Sequence, residues 1–240
     1  MAAMDILLIH GFPLDRRTWE AQLAGLGGRV LAPDLPGFGG TPLLSPAPAS
    51  MDDYARAVLA FADAQGVKRF VAAGHSMGGY ILFALHRLAP DRLAGAALVS
   101  TRAKADGDEG RKAREETAQR ALREGAAFLA ESMPARVTGP DAPAALIDRL
   151  RGIMRGANGP GVAAASRAMA ARPDSTPQLA SLLCPTLVLA GRHDKIVPAT
   201  ESEAMAAAIP GSKLVWCERS GHMPMMEEPE LVTKALASLL

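Results

Sequence analysis

Arg69-Phe70-Val71-Ala72-Ala73-Gly74-His75-Ser76-Met77-Gly78-Gly79-Tyr80 is the stretch on which the reading of this chain turns. A short apolar run ends in Gly74-His75-Ser76-Met77-Gly78, and a segment of helical pattern, residues 79–88, comes directly after it. The pattern predicts a strand, a sharp turn and a helix, with Ser76 at the tip of the turn. Gly74 and Gly78 lie two residues either side of Ser76, where such a turn brings backbone segments so close that a Cβ would clash. The turn holds its central residue in a strained conformation and pushes the hydroxyl out above a sheet. The plain alternative is a glycine-rich strand-to-helix turn with an incidental serine. The rest of the chain decides between them.

On the N-terminal side, Ile6-Leu7-Leu8-Ile9 is a continuous apolar run ended by His10-Gly11, as expected of a strand buried on both faces. Residues 16–26 carry Trp19, Leu23 and Leu26 at helical spacing. Val30-Leu31-Ala32 predicts a second strand, which runs into the turn-rich loop Asp34-Leu35-Pro36-Gly37-Phe38-Gly39-Gly40-Thr41. After the proline-rich loop 42–49, Ser50 has the position of an N-cap for a helix over 51–65, with Asp52 and Asp53 in its first turn.

Beyond the serine turn, residues 93–100 predict another buried strand. From 102 to 183 the texture changes. Strand signals vanish, and Ala, Arg and Glu recur in helical patterns interrupted at Pro134, Gly139-Pro140, Gly159-Pro160 and Pro173. These signals predict an all-helical insertion of roughly four helices, with the alternating charges of 111–123 on solvated faces. Strands then return at Thr186-Leu187-Val188-Leu189-Ala190-Gly191, before Arg192-His193-Asp194, and at Lys213-Leu214-Val215-Trp216-Cys217, before Ser220-Gly221-His222. Helices are expected over 201–209 and 230–240. Short apolar strands alternating with amphipathic helices argue for an α/β class: an open, mostly parallel sheet of about six strands with helices on both faces. Residues 1–101 and 184–240 form its core. Residues 102–183 are the helical lid, inserted after a strand end, where α/β proteins bind ligands.

At 240 residues the chain suits one domain with an insertion. Hydrophobic residues make up 49% and charged residues 21%, and the formal net charge is +1, so no nucleic acid or anionic membrane is indicated as a partner. The start, Met1-Ala2-Ala3-Met4-Asp5, carries no basic n-region, and no apolar run approaches the length of a membrane span. Cys184 and Cys217, placed at opposite ends of neighbouring parallel strands, are expected to stay unbridged. The chain therefore reads as cytoplasmic. No His, Cys, Asp or Glu grouping has zinc-ligand spacing and no phosphate-binding glycine loop is present, so no metal or cofactor is expected.

A neutral serine hydroxyl is a poor nucleophile and needs an adjacent base, itself held by an acid. Both come after strand ends: Asp194 after the strand 186–191 and His222 after the strand 213–217. In a parallel sheet these positions share one edge with Ser76. His222 would take the serine proton during attack and return it to a leaving alcohol, while Asp194 fixes the imidazole tautomer and stays ionised. Taken singly, Asp194 reads equally well as a loop carboxylate and His222 as a surface histidine; their coincidence with Ser76 favours a triad. The tetrahedral oxyanion needs fixed donors, for which the backbone N–H groups of Met77 and Phe12 are the candidates. Gly11 allows the close approach, and Pro13, with its fixed φ, stiffens the loop beyond Phe12.

His10-Gly11-Phe12-Pro13, Asp34-Leu35-Pro36-Gly37-Phe38-Gly39, Gly74-His75-Ser76-Met77-Gly78-Gly79, Gly191-Arg192-His193-Asp194 and Ser220-Gly221-His222 together resemble the α/β-hydrolase superfamily. The likeness spans nearly the whole chain and is nearest to the lidded esterase, enol-lactonase and non-haem perhydrolase branches. It implies a serine hydrolase that cleaves small to medium carboxylic esters or lactones through an acyl-enzyme on Ser76, with a small molecule as its partner. Hydrolysis of a carbon–carbon bond or perhydrolysis would use the same triad, and a non-catalytic ligand-binding member of the fold is the alternative from another class. With the His-Gly strand starting five residues in, the usual N-terminal antiparallel hairpin is expected to be absent and the sheet to be six-stranded and wholly parallel. Serine at 76 argues against the dehalogenase branch, which uses a carboxylate there.

Phe12, Arg102 and Met223 are candidates for the substrate pocket. Arg102, just past a strand end, meets either a substrate carboxylate or a salt bridge at the lid hinge. Met223, Met225 and Met226 come just after His222, and core packing is the expected role for at least two of them. His10, His75, His86, His193 and Asp34 read as packing or loop-supporting residues.

Overall fold

The computed structural model describes residues 4–240, so the reading of the N-terminal start rests partly on Met1, Ala2 and Ala3, which lie outside the described residues. Six strands form the sheet: β1 (Ile6–Ile9), β2 (Val30–Leu31), β3 (Phe70–His75), β4 (Leu93–Val99), β5 (Thr186–Gly191) and β6 (Lys213–Cys217). Their order is β2-β1-β3-β4-β5-β6 and every neighbouring pair is parallel. The register aligns Ile9 with Gly74, Val99 with Leu189 and Gly191 with Cys217, so these strands end along one edge. The chain steps one way from β1 to β2, then returns to place β3 on the other side of β1. The crevice at that reversal lies between the loop after β1 and the serine turn after β3.

Alternate residues of each strand feed separate cores, as the two-residue period of a strand requires. Leu7, Ile9, Phe70 and Ala72 face one side. There they join Tyr54 and Val58 of α2 (Met51–Ala64) and Ile81 and Leu85 of α3 (Met77–Leu88). Ile6, Leu8, Val71 and Ala73 face the other. There they join Trp19 at the end of a 3₁₀ turn (Arg16–Trp19), which leads into α1 (Glu20–Gly25). The spacing of 16–26 predicts one continuous helix. Instead Asp15 accepts the Arg17 N–H on its side chain and the Thr18 N–H on its carbonyl, which winds the first turn tightly. Ser50 caps α2 reciprocally with Asp53: the Ser50 hydroxyl accepts the Asp53 N–H at 3.2 Å and the Asp53 carboxylate accepts the Ser50 N–H at 3.1 Å.

Between β4 and β5 the described chain is helical: α4 (Asp108–Glu124), α5 (Ala127–Ser132), α6 (Pro134–Val137), α7 (Ala144–Arg155), α8 (Gly159–Ala170) and a 3₁₀ turn (Thr176–Ser181). There are five α-helices where the break signals predict about four. Pro134 and Pro160 sit in the first turns of α6 and α8, where a missing N–H costs nothing, so they open helices instead of interrupting them. The core resumes with α9 (Ala199–Ala208) and, after β6, α10 (Pro224–Glu227) and α11 (Pro229–Ala237); Val232 and Leu236 of α11 pack beneath the sheet. Both cysteines are free, and burial pushes the Cys217 thiol up to about 12. Among the described residues, no helix is long and apolar enough to cross a membrane.

Candidate active site

Ser76 occupies the turn between β3 and α3 with φ of 51° and ψ of −111°, a region that costs a residue with a Cβ roughly 1–3 kcal/mol. Its surroundings hold it there. The Ser76 N–H donates to the Val99 carbonyl at 2.9 Å, and the Ser76 carbonyl accepts the Gly79 N–H at 2.9 Å and the Thr101 hydroxyl at 2.8 Å. A Cβ on Gly74 would run into the backbone of Gly78, and one on Gly78 into the carbonyl of Ile9. The two glycines thus let the turn fold on itself and lie flat against β1.

Asp194 and His222 meet on the same edge. The His222 Nδ1–H donates to Asp194 Oδ2 at 2.7 Å, with the two side chains 6% and 3% exposed. Asp194 Oδ1 accepts the backbone N–H groups of Ile196 at 2.7 Å and Val197 at 3.0 Å, so one oxygen shapes the loop while the other orients the ring. The bond to Asp194 leaves Nε2 as the lone-pair nitrogen of a neutral ring. Ser76 and His222 line one cavity. No hydrogen bond joins the hydroxyl to the ring; such bonds are commonly long until substrate tightens them. The Phe12 and Met77 N–H groups have no acceptor among the described residues and are free to receive one.

The loop carrying His222 is clasped by two glutamates that sequence reasoning did not single out. Glu227 Oε1 accepts the N–H of Gly221 at 2.9 Å and of Met223 at 3.1 Å, while Oε2 accepts that of Gly139, in the insertion, at 2.6 Å. Glu228 Oε2 accepts the Ser220 hydroxyl at 2.7 Å and the Arg219 N–H at 2.9 Å. The His222 N–H itself donates to the Val137 carbonyl of α6 at 2.7 Å. Burial, with the neighbouring Glu228 charge, holds the Glu227 carboxyl above the usual range despite its three N–H donors. The only sequence signal was an acidic pair before Pro229, which reads equally well as the start of a helix.

The supporting histidines have defined roles. His75 is fully buried, and its Nε2–H donates to the His222 carbonyl at 2.8 Å. Burial and then the nearby His222 ring hold its pKa well below the ordinary histidine range, so it is neutral. His10 Nδ1–H donates to the Gly11 carbonyl at 2.9 Å and Nε2 accepts the Leu35 N–H at 3.0 Å, tying the loop after β1 to the turn after β2; burial keeps it neutral as well. In that second turn Asp34 accepts the N–H groups of Arg16 at 2.9 Å and Gly40 at 3.0 Å. His86 bonds Ser181 at 3.0 Å on the far side of α3, and the His193 side chain is exposed.

The cavity holds about 70 Å³. Phe12, Ser76, Tyr80, Ile196, Val197 and His222 line it from the core, and Arg102, Arg114, Met133, Val137 and Met169 from the insertion. Met223 is not part of this wall: it is fully buried beneath the sheet with Met225, because its N–H is held by Glu227 and its side chain points into the core. A larger hollow of about 700 Å³, walled by Arg69, Pro90, Leu93 and Cys184, lies at the opposite, starting edge of β3 to β5. Arg102 donates to Asp106 at 2.5 Å, in a cluster with Arg114 and Arg172. Among the described residues no group of His, Cys, Asp and Glu side chains could hold a metal ion.

Comparison with known proteins gives this geometry a context. A family model described as the alpha/beta hydrolase family matches residues 6–235. The structure superposes with a TM-score of 0.95 on a thermophilic esterase from Thermogutta terrifontis, crystallised with malate bound; it is 43% identical, covering 99% of this chain and 89% of that one. An enol-lactonase from Burkholderia xenovorans superposes with a TM-score of 0.89 at 26% identity, covering 100% and 92% of the two chains. The dihydrolipoyllysine-residue acetyltransferase component of an acetoin cleaving system from Pseudomonas putida is 29% identical over 98% of this chain, which spans 63% of that protein's length.

Proposed function

Because this chain belongs to the alpha/beta hydrolase family and is a hydrolytic enzyme, we propose that it cleaves small to medium carboxylic esters or lactones through an acyl-enzyme on Ser76. The observation that carries this reading is the meeting, at one cavity, of a serine held at positive φ and a histidine whose Nδ1–H is fixed on a buried aspartate.

In this reading the substrate carbonyl lies over Ser76 with its oxygen towards the Phe12 and Met77 N–H groups. Oγ attacks the carbonyl carbon as His222 Nε2 takes the hydroxyl proton, and Asp194 stabilises the imidazolium without itself becoming protonated. The tetrahedral oxyanion is met by donors already in place, which in a site sheltered from water is the largest single contribution to such catalysis. Collapse expels the alkoxide, protonated by His222, and leaves the acyl group on Ser76. Water enters, gives its proton to His222, and attacks the acyl carbon; a second collapse releases the carboxylic acid and returns the proton to Oγ. The helical insertion, residues 102–183, acts as the lid, and the roughly 70 Å³ beneath it favours a short acyl group.

The test is intact-mass analysis after exposure to a fluorophosphonate, beside a panel of p-nitrophenyl esters of rising acyl length. A single adduct on Ser76, turnover lost in step with labelling, and a fall of about 10³-fold or more in kcat for Ser76→Ala are expected. Undiminished turnover by Ser76→Ala would overturn the assignment.

A further inference from the structure

Three guanidinium groups converge on one carboxylate at the roof of the cavity. Asp106, its side chain 2% exposed, accepts from Arg102 at 2.5 Å, Arg114 at 3.2 Å and Arg172 at 2.9 Å. Arg172 is the partner that balances its charge. Arg172 is equally buried, also donates to the Met169 and Lys104 carbonyls at 2.9 Å each, and stacks on Tyr80 at 4.1 Å. Arg102 and Arg114 share the same carboxylate with it, so the cluster keeps an excess of positive charge, and both form part of the cavity wall beside Ser76 and His222. Neighbouring acids do not redress this: Glu201 pairs with Lys104 at 2.8 Å and Asp108 with Arg111 at 2.6 Å. The Arg102 Nε–H is buried with no acceptor at all. Arg102 and Arg114 are each 28% exposed, and three guanidinium charges around one carboxylate make a positive field at the cavity wall that favours an anion. Here the space where that charge would sit is the space the substrate fills.

We propose that Arg102 and Arg114 form a carboxylate-binding subsite, and that the preferred substrates are esters or lactones carrying a free carboxylate. The inference rests on the serine-hydrolase reading for its chemistry but not for the subsite itself. The planar guanidinium of Arg102 presents parallel N–H donors that suit the two oxygens of a carboxylate. Binding there would fix the carbonyl over Ser76 from its far end, and it would disfavour neutral esters, which leave the arginines uncompensated.

The test compares kcat/KM for chain-matched pairs: monomethyl succinate, glutarate and adipate against methyl butyrate, valerate and hexanoate, and O-acetylglycolate against ethyl acetate. The two sets place the carboxylate on the acyl or on the alcohol side. At least one charged ester should exceed its neutral partner by about tenfold or more, the worth of one charge-assisted hydrogen bond. The advantage should shrink as salt is raised. Arg102→Gln and Arg114→Gln should each collapse the ratio, and Arg102→Lys should retain part of it. Glutarate binding by calorimetry to the wild-type protein reads the subsite even where a variant fails to fold. No preference in any pair, together with no glutarate binding, would overturn the proposal. Glutarate binding lost in Arg102→Gln, without turnover of any ester, would uphold the subsite and defeat the hydrolase reading instead.

Discussion

Replacing Glu227 by alanine removes three charge-assisted hydrogen bonds that flank His222, those from the N–H groups of Gly221, Met223 and Gly139. A hydrogen bond to a charged group contributes about 1.5–3 kcal/mol where it cannot be replaced. Glu227 is only partly buried, so water would recover part of this, and a net loss of about 2–3 kcal/mol is expected. For a chain of 240 residues that corresponds to a fall in Tm of roughly 5–10 °C. Activity should fall further than stability suggests, because a shift of the base by about 1 Å costs of the order of a hundredfold. Glutamine provides a graded control. Its single amide oxygen can keep the two bonds made by Oε1, while its NH2 group faces the Gly139 N–H that Oε2 now accepts. Tm and kcat should therefore rank wild type, Glu227→Gln, Glu227→Ala, with KM changing least. A Glu227→Ala enzyme that melts with the wild type and turns over at the same rate would refute the claim that this side chain holds the base in place.

Asp194→Asn should lower kcat by about 10⁴-fold, since the amide leaves the imidazole free to take the wrong tautomer; stopped ester assays on a folded variant check this, and a loss under tenfold would contradict the assigned role. Asp106→Asn should destabilise the protein by about 3–5 kcal/mol at neutral pH by leaving the Arg172 charge buried without a counter-charge. Burial opposes ionisation of Asp106, but Arg172 and Arg114 outweigh it and hold the carboxyl well below the usual range. A depressed carboxyl stabilises the fold fully above its unfolded value of about 3.9 and loses that contribution as pH falls through the folded value. The gap between wild type and Asp106→Asn in urea unfolding should therefore narrow below about pH 4; a constant gap would count against the ion-pair account.

The parts of this molecule that were legible in its sequence are those fixed by a few neighbouring residues. The parallel sheet could be read because its strands are short uninterrupted apolar runs, and the serine turn because Gly74 and Gly78 are required by backbone contacts within that turn and against β1. Asp194 and His222 could be nominated because strand ends share an edge whatever the helices do. Glu227 could not: its role depends on Gly139 arriving from another part of the chain. The same holds for Arg114, which reaches the cavity only through the packing of α4 against α8. Met223 shows the opposite error, since closeness to His222 in sequence suggested a pocket residue, whereas successive side chains in a tight loop point in different directions and this one turns into the core.

The Val137 carbonyl and the Gly139 N–H tie the helical insertion to the loop that carries His222. Lifting the insertion at that edge would withdraw the acceptor from the His222 N–H and one of the three donors from Glu227, so the ring would lose its aim as the cavity opened. On the mechanism proposed above, the serine would then keep its base only while the insertion stays seated along this side.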